Sequence, residues 1–219
     1  MPRLLFQKTG NAVWISHLDL MRVFQRAFKR AGLPLTHTQG FNPRPSVSIA
    51  LPLSVGVESV CELLDFDLDA QQVSCDEIRQ RLNCVLIDGV KVLEVYDSGR
   101  KIRDLALLRC RIVMEYDNGI AASAVDQIRK LFARESLTVQ KKTKSGLQDQ
   151  DIIPMIRTLE VNQTGEKQVQ MEALICCQNP TLNPMQLPIA VCEYLPEIKS
   201  DFYKCSRLEI YDKDERIFR

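Results

Sequence analysis

Ser16-His17-Leu18-Asp19-Leu20-Met21-Arg22-Val23-Phe24-Gln25-Arg26-Ala27-Phe28-Lys29-Arg30-Ala31-Gly32-Leu33-Pro34 is the stretch on which the fold turns. It predicts a helix from His17 to Ala31. Ser16 followed three residues later by Asp19 is a capping-box pattern, in which the hydroxyl accepts a backbone N–H and the carboxylate reaches back. Gly32 suits the C-terminal cap, and Pro34 prevents continuation. At 100° per residue, Leu20, Phe24, Ala27, Phe28 and Ala31 share one face, which must pack on a sheet. Arg22, Arg26, Lys29 and Arg30 fall on another. Like charges at this spacing cost roughly 0.2–0.5 kcal/mol per pair, and Asp19 is the one nearby acid. A helix selected for stability alone would interleave carboxylates.

Working outward, Arg3 to Ile15 is apolar and β-prone, broken by the turn signal Thr9-Gly10-Asn11. Val47–Ile49 and Leu51–Leu53 read as extended, and Cys61 to Asp67 as a strand. Ser74 to Val85 reads as a second helix with Ser74 and Glu77 in capping-box spacing. Val90 to Tyr96 reads as a strand. The order β-α-β-β-α-β is the split βαβ, or ferredoxin-like, unit. Further along, Leu107 to Tyr116, Ala121 to Ala133, Leu137 to Lys142, Gln168 to Cys177, Pro184 to Leu195 and Phe202 to Tyr211 read as strand, helix, strand, strand, helix, strand. Lys141 to Gln150 reads as a polar loop carrying a lesser basic cluster, Lys141, Lys142 and Lys144. Ile152 to Val161 is apolar but interrupted by Pro154. The expected fold is therefore α+β, two tandem ferredoxin-like units over 1–100 and 104–219. They meet near Ser98 to Asp104.

Bulk properties exclude several function classes. The chain has 219 residues, net charge +1, 45% hydrophobic and 26% charged content. No global field draws it to nucleic acid or membrane, so any anion-binding surface comes from local clustering. No apolar run reaches the roughly 18 residues needed to span a bilayer, and the first residues turn polar too soon for a signal peptide. A cytoplasmic protein without membrane contact is expected. The eight cysteines show no C-x-x-C spacing, so they read as reduced, packed thiols. No metal and no cofactor is expected.

The candidate site lies around the first helix. His37-Thr38-Gln39-Gly40-Phe41-Asn42-Pro43-Arg44-Pro45 follows it. Gly40 permits unusual backbone angles, and the prolines stiffen the loop. Phe41, Asn42 and Arg44 are an aromatic, an amide and a guanidinium, the groups that stack on a base and grip a phosphate. The basic face Arg22, Arg26, Lys29 and Arg30 would track phosphates. The plainer alternatives are a solvated helix face and a loop that pins the helix with Phe41 buried. Both histidines of the chain, His17 and His37, lie at the two ends of this helix. His17 is either a core-edge imidazole or a ligand contact. Ser16, His17, Asp19, His37 and Gly40 are expected to order the site or touch a ligand.

Four ordered segments carry a resemblance: Ser16-His17-Leu18-Asp19-Leu20-Met21-Arg22, Arg30-Ala31-Gly32-Leu33-Pro34, Gly40-Phe41-Asn42-Pro43-Arg44-Pro45 and Pro52-Leu53-Ser54-Val55-Gly56-Val57-Glu58-Ser59. Together they resemble the radical-SAM-linked proteins of the DUF2344 family, with Lys144 and Asp151-Ile152-Ile153-Pro154 resembling a further family segment. Arg44 and Ser46 depart from the family pattern, standing where it has a histidine and a lysine. The resemblance implies a protein encoded beside, or fused behind, a radical SAM enzyme. The chain is not expected to be that enzyme, because the closely spaced cysteines of its iron–sulfur cluster are absent. Tandem ferredoxin-like units with a basic helix also resemble the RAMP/Cas6-like architecture, by analogy of fold alone.

The function expected is a non-catalytic RNA-binding module that works with a radical SAM modification enzyme. The expected partners are that radical SAM protein and RNA. The alternatives are a metal-independent ribonuclease using His17 and His37, and a protein-docking scaffold for the radical SAM partner. An anionic small ligand is a further one.

Overall fold

The structure is a computed structural model that describes residues 1–69, 73–143 and 146–219. It is a mixed α+β protein and divides into two compact units, Met1–Asp104 with Phe218–Arg219, and Leu105–Ile217.

In the first unit the strands are β1 (Arg3–Lys8), β2 (Val47–Ile49), β3 (Val57–Phe66) and β4 (Val90–Tyr96), with helices α1 (His17–Arg30) and α2 (Cys75–Asn83). The strand order is β4-β1-β3-β2, and every neighbouring pair is antiparallel. Helix α1 buries Leu20, Phe24, Ala27 and Phe28, the face its apolar spacing predicts. Phe24 meets Phe6 of β1 edge-on with ring centroids 4.7 Å apart, and Phe28 meets Phe66 of β3 at 5.0 Å. At the C-terminus Gly32 takes φ +66° while the Leu33 N–H donates to the Phe28 carbonyl at 2.9 Å. This is a Schellman-type closure, in which the buried Leu33 is the apolar residue just beyond the cap.

Differences from the sequence expectation have local causes. After β1 the chain does not form a second strand but a 3-10 turn, Gly10–Trp14. Lys8 draws it in: this lysine is 1% exposed, and its Nζ donates to the carbonyls of Val13 (3.1 Å) and Ile15 (2.8 Å). Leu51–Leu53 lies outside any strand, and β3 begins at Val57 rather than Cys61. In α2 the Ser74 hydroxyl accepts from the Glu77 N–H, but the Glu77 carboxylate turns to Arg81 instead of reaching back. That capping box is half made.

The second unit holds β5 (Leu105–Glu115), α3 (Ser123–Phe132), β6 (Thr138–Thr143), β7 (Gly146–Asp151), β8 (Ile156–Gly165), β9 (Gln168–Cys176), α4 (Gln186–Tyr194) and β10 (Phe202–Asp212). Its order is β10-β5-β9-β8, again antiparallel throughout, and β6 pairs with β7 as a separate two-stranded ribbon. The expected loop over Lys141–Gln150 is thus corrected to the heart of this ribbon. Gly-Leu-Gln-Asp-Gln-Asp has no apolar alternation because β7 is largely exposed, so no periodicity announced it. Lys144 lies outside the described residues. Pro154 does not break the following strand. It sits in a short 3-10 turn, Ile153–Met155, from which β8 starts.

Candidate nucleotide-binding face of the first helix

Ser16 caps α1 by accepting from the Asp19 N–H at 3.2 Å, and its hydroxyl donates to Asp19 Oδ2 at 2.7 Å. Asp19 Oδ1 takes a hydrogen bond from Arg22 Nη1 at 2.8 Å. Ser16 and Asp19 are therefore ordering residues for the helix start, and Arg22 is engaged with Asp19. The Ser16 hydroxyl and then the Arg22 guanidinium hold the Asp19 carboxyl below its ordinary value of 3.8. A depressed folded value means a stabilising contribution that is complete above the unfolded value and lost as pH falls through the folded one. In a titration followed by carbonyl NMR, the Asp19 midpoint is expected below 3.8, moving upward in Ser16→Ala. A wild-type midpoint at or above that value would show the cap unformed in solution.

The four-cation stripe does not survive as four free charges. Arg30 Nη2 donates to the Val85 carbonyl at 2.6 Å, tethering the end of α1 to the segment after α2. Arg26 and Lys29 remain exposed, one turn apart, and among the described residues neither has an ion-pair or hydrogen-bond partner.

The loop beyond α1 is pinched at its base. The Thr38 N–H donates to the Arg44 carbonyl at 2.9 Å, and the Arg44 N–H to Thr38 Oγ1 at 3.0 Å. Below this, Thr36 is held by Asp67 through its N–H to the carbonyl and through its hydroxyl to Oδ2, both 3.0 Å. Gly40, Phe41 and Asn42 form the tip, and the Phe41 side chain is fully exposed. The alternative with Phe41 buried is not what the fold adopts. Arg44 is exposed as well.

Between this loop and α1 runs a groove of about 430 Å³. Helix α1 supplies one wall with Gln25, Phe28 and Lys29. The segment leaving it supplies the other with Pro34, Leu35, His37 and Pro45. Gln25, Pro34, Leu35 and Pro45 were not singled out from sequence as site residues. The signal was present in part, since Gln25 and Lys29 stand at i,i+4 spacing on the flank between the apolar and basic faces. The reversal at Gly32 that brings the second wall over the first is not visible in periodicity.

His37 lines this groove, whereas His17 opens α1 at its other end. Phe28, which underlies the groove, stands about 17 Å along the axis from His17. His37 is therefore among the residues that line this groove, and His17 is not. His17 is half-buried, and its Nδ1 is buried without a hydrogen-bond partner among the described residues. Near it Trp14 and Leu18 expose most of their apolar surface, and Val55 half of its own. The Gly56 N–H donates to the Val13 carbonyl at 2.9 Å, which brings the 54–56 turn beside Trp14.

Elsewhere, burial pushes the Cys177 and Cys205 thiols up to about 12 and Cys110 higher still. They are packed thiols without thiolate character near neutral pH. Among the described residues no three His, Cys, Asp or Glu side chains gather to hold a metal, and no helix is long and apolar enough to cross a membrane.

Residues 2–184 match DUF2344, described as an uncharacterized protein conserved in bacteria. No curated protein matches the sequence. Among solved structures, a chain of a Cbf5–Nop10–Gar1 complex is similar in fold, with TM-score 0.53 and 9% identity over 98% of this chain. The match takes in 50% of that other chain, so this chain spans about half its length. An unknown protein from Galdieria sulphuraria aligns over 94% of this chain and 96% of its own at 10% identity, with TM-score 0.26.

Proposed function

The chain belongs to the DUF2344 family, and from that premise we propose that it is a non-catalytic RNA-binding module that works with a radical SAM modification enzyme. One observation carries the RNA reading. Among the described residues Arg26 and Lys29 are held one turn apart in solvent without an acid, beside a stiff loop whose tip is a fully exposed phenylalanine. Two unneutralised cations at this spacing weaken a helix by a few tenths of a kcal/mol. A polyanion repays that by counterion release, and an aromatic in water gains by stacking on a base. Arg44, at the base of the same loop, adds a third cation.

The radical SAM partner rests on the resemblance of the four N-terminal motifs. Exposed Trp14, Leu18 and Val55 support a protein contact at the start of α1, away from the basic residues near its other end. We read each unit as ferredoxin-like, in a RAMP/Cas6-like architecture. The orders β4-β1-β3-β2 and β10-β5-β9-β8 support this, with the β6–β7 ribbon as an insertion. Single strands are the RNA form such sheets commonly accept.

Charge reversal of Arg26 and Lys29 together tests the reading, with binding of a labelled single-stranded RNA measured against salt. The affinity is expected to fall at least tenfold at moderate salt. The slope of log K against log salt is expected to shrink by about 1.4, from roughly 0.7 per lost phosphate contact. An unchanged slope would remove the phosphate-tracking role from this face.

A further inference from the structure

We infer that the groove between α1 and the 34–45 segment is the seat of one unpaired nucleotide of the RNA strand, a nucleoside monophosphate unit held by its base and its phosphate. The inference rests on the RNA reading above and deepens it. The groove volume of about 430 Å³ lies within the roughly 300–1,000 Å³ of small-ligand clefts. That is room for one nucleotide and not for a helix or a duplex.

Its chemistry selects the occupant. Phe28, Leu35, Pro34 and Pro45 make the walls apolar, which suits the faces of a planar base. The Pro34 ring is exposed and the Pro45 ring partly so, while Phe28 and Leu35 are themselves buried, and the two walls arise from different segments. The polar groups are few and of one kind: Gln25, an amide able to pair with a base edge, and Lys29 and His37, both donors when charged. Among the described residues no carboxylate lines it. An apolar groove with a cation at its rim and no acid in its described lining favours an anion with a flat apolar body over a lipid chain or a cationic metabolite. Lys29 belongs both to the groove and to the pair of unpartnered cations. A phosphate at Lys29 therefore connects a seated nucleotide to a strand passing Arg26. The loop tip with Phe41 lies on the far side of the Thr38–Arg44 pinch, placed to stack on a neighbouring base rather than on the seated one.

The groove already has its walls in place, so free mononucleotides serve as probes. The full chain, methyl-labelled at leucine, is titrated with adenosine and uridine 5′-monophosphates. Ribose 5-phosphate and the two nucleosides serve as partial ligands, and a single-stranded RNA oligonucleotide is titrated separately. The Leu35 methyl and His37 ring signals are expected to shift saturably with both monophosphates. Each partial ligand is expected to bind at least tenfold more weakly. The oligonucleotide is expected to move the same signals. Lys29→Ala should weaken the monophosphates about tenfold, and Gln25→Trp, which fills the groove, should abolish the response while the other leucine methyl signals report an intact fold.

Four results overturn the inference, and they differ in what else falls. RNA that binds without moving Leu35 or His37 empties the groove but leaves the RNA reading standing. Monophosphates that bind while no RNA does make this a free-nucleotide site and remove the RNA reading. No response to either removes both. Equal binding of ribose 5-phosphate and the monophosphates would reduce the site to an anion contact and overturn the base-seating claim.

Discussion

Replacing Phe24 with alanine is expected to lower the free energy of unfolding by about 3–5 kcal/mol. Phe24 has no solvent exposure and packs edge-on against Phe6 of β1. Its removal forfeits the transfer energy of a whole ring and the edge-to-face contact. It also leaves a cavity that two rigid elements, a helix and a strand interior, collapse into poorly. Urea unfolding should show the midpoint falling with an unchanged slope. Phe41→Ala is the internal comparison. The same chemical deletion at the exposed loop tip is expected within about 0.5 kcal/mol of wild type. Equal losses at the two positions would mean that α1 does not dock through Phe24. The contrast also separates stability from recognition, since Phe41→Ala should reduce RNA affinity while Phe24→Ala at low denaturant should not.

The second large effect concerns charge. Asp65→Ala is expected to cost about 3 kcal/mol. Arg3 is almost wholly buried, and its guanidinium meets Asp65 through two hydrogen bonds, Nε to Oδ1 at 2.6 Å and Nη2 to Oδ2 at 3.1 Å, across the β1–β3 pair. The arginine is further confined by the Phe218 ring, 5.5 Å from its Cζ, and by Gly99, where a Cβ would fall 2.3 Å from that carbon. A buried guanidinium with no room to leave cannot regain water when its carboxylate is removed. Arg3→Met combined with Asp65→Ala is therefore expected to recover most of the loss, because the stranded charge goes with its partner. A double variant as unstable as Asp65→Ala alone would show that the carboxylate acts through some other contact.

These two residues also mark where sequence reading stops. Helix α1 was legible because its apolar faces, its Ser16 cap and its Gly32 exit all agree on one element. Strands β4, β9 and β10 were legible from their apolar runs. Arg3 and Lys8 were not, because a charged residue in a strand reads as solvent-facing until its partners across the sheet or in the next turn are known. Strand β7 was missed for the opposite reason: neither of its faces is buried, so it has no period. Within the candidate site the residue types were legible, but the allocation of charge was not. Arg22 and Arg30 look like Arg26 and Lys29 in sequence. Only the fold shows the first pair occupied, by Asp19 and by the Val85 carbonyl, and the second pair free of such partners among the described residues. The groove was invisible because it belongs to neither of the segments that form it.

Phe218 and Arg219 belong to the first unit, where the Phe218 ring lies under Arg3 and Arg100 and the Arg219 carbonyl accepts from the Arg100 N–H. Order of synthesis and order of completion therefore run in opposite directions. Arg3 is made before the second unit, yet the stack that encloses it is finished only after the whole of that unit has been made. The first unit is born open, and its closing piece follows the whole second unit.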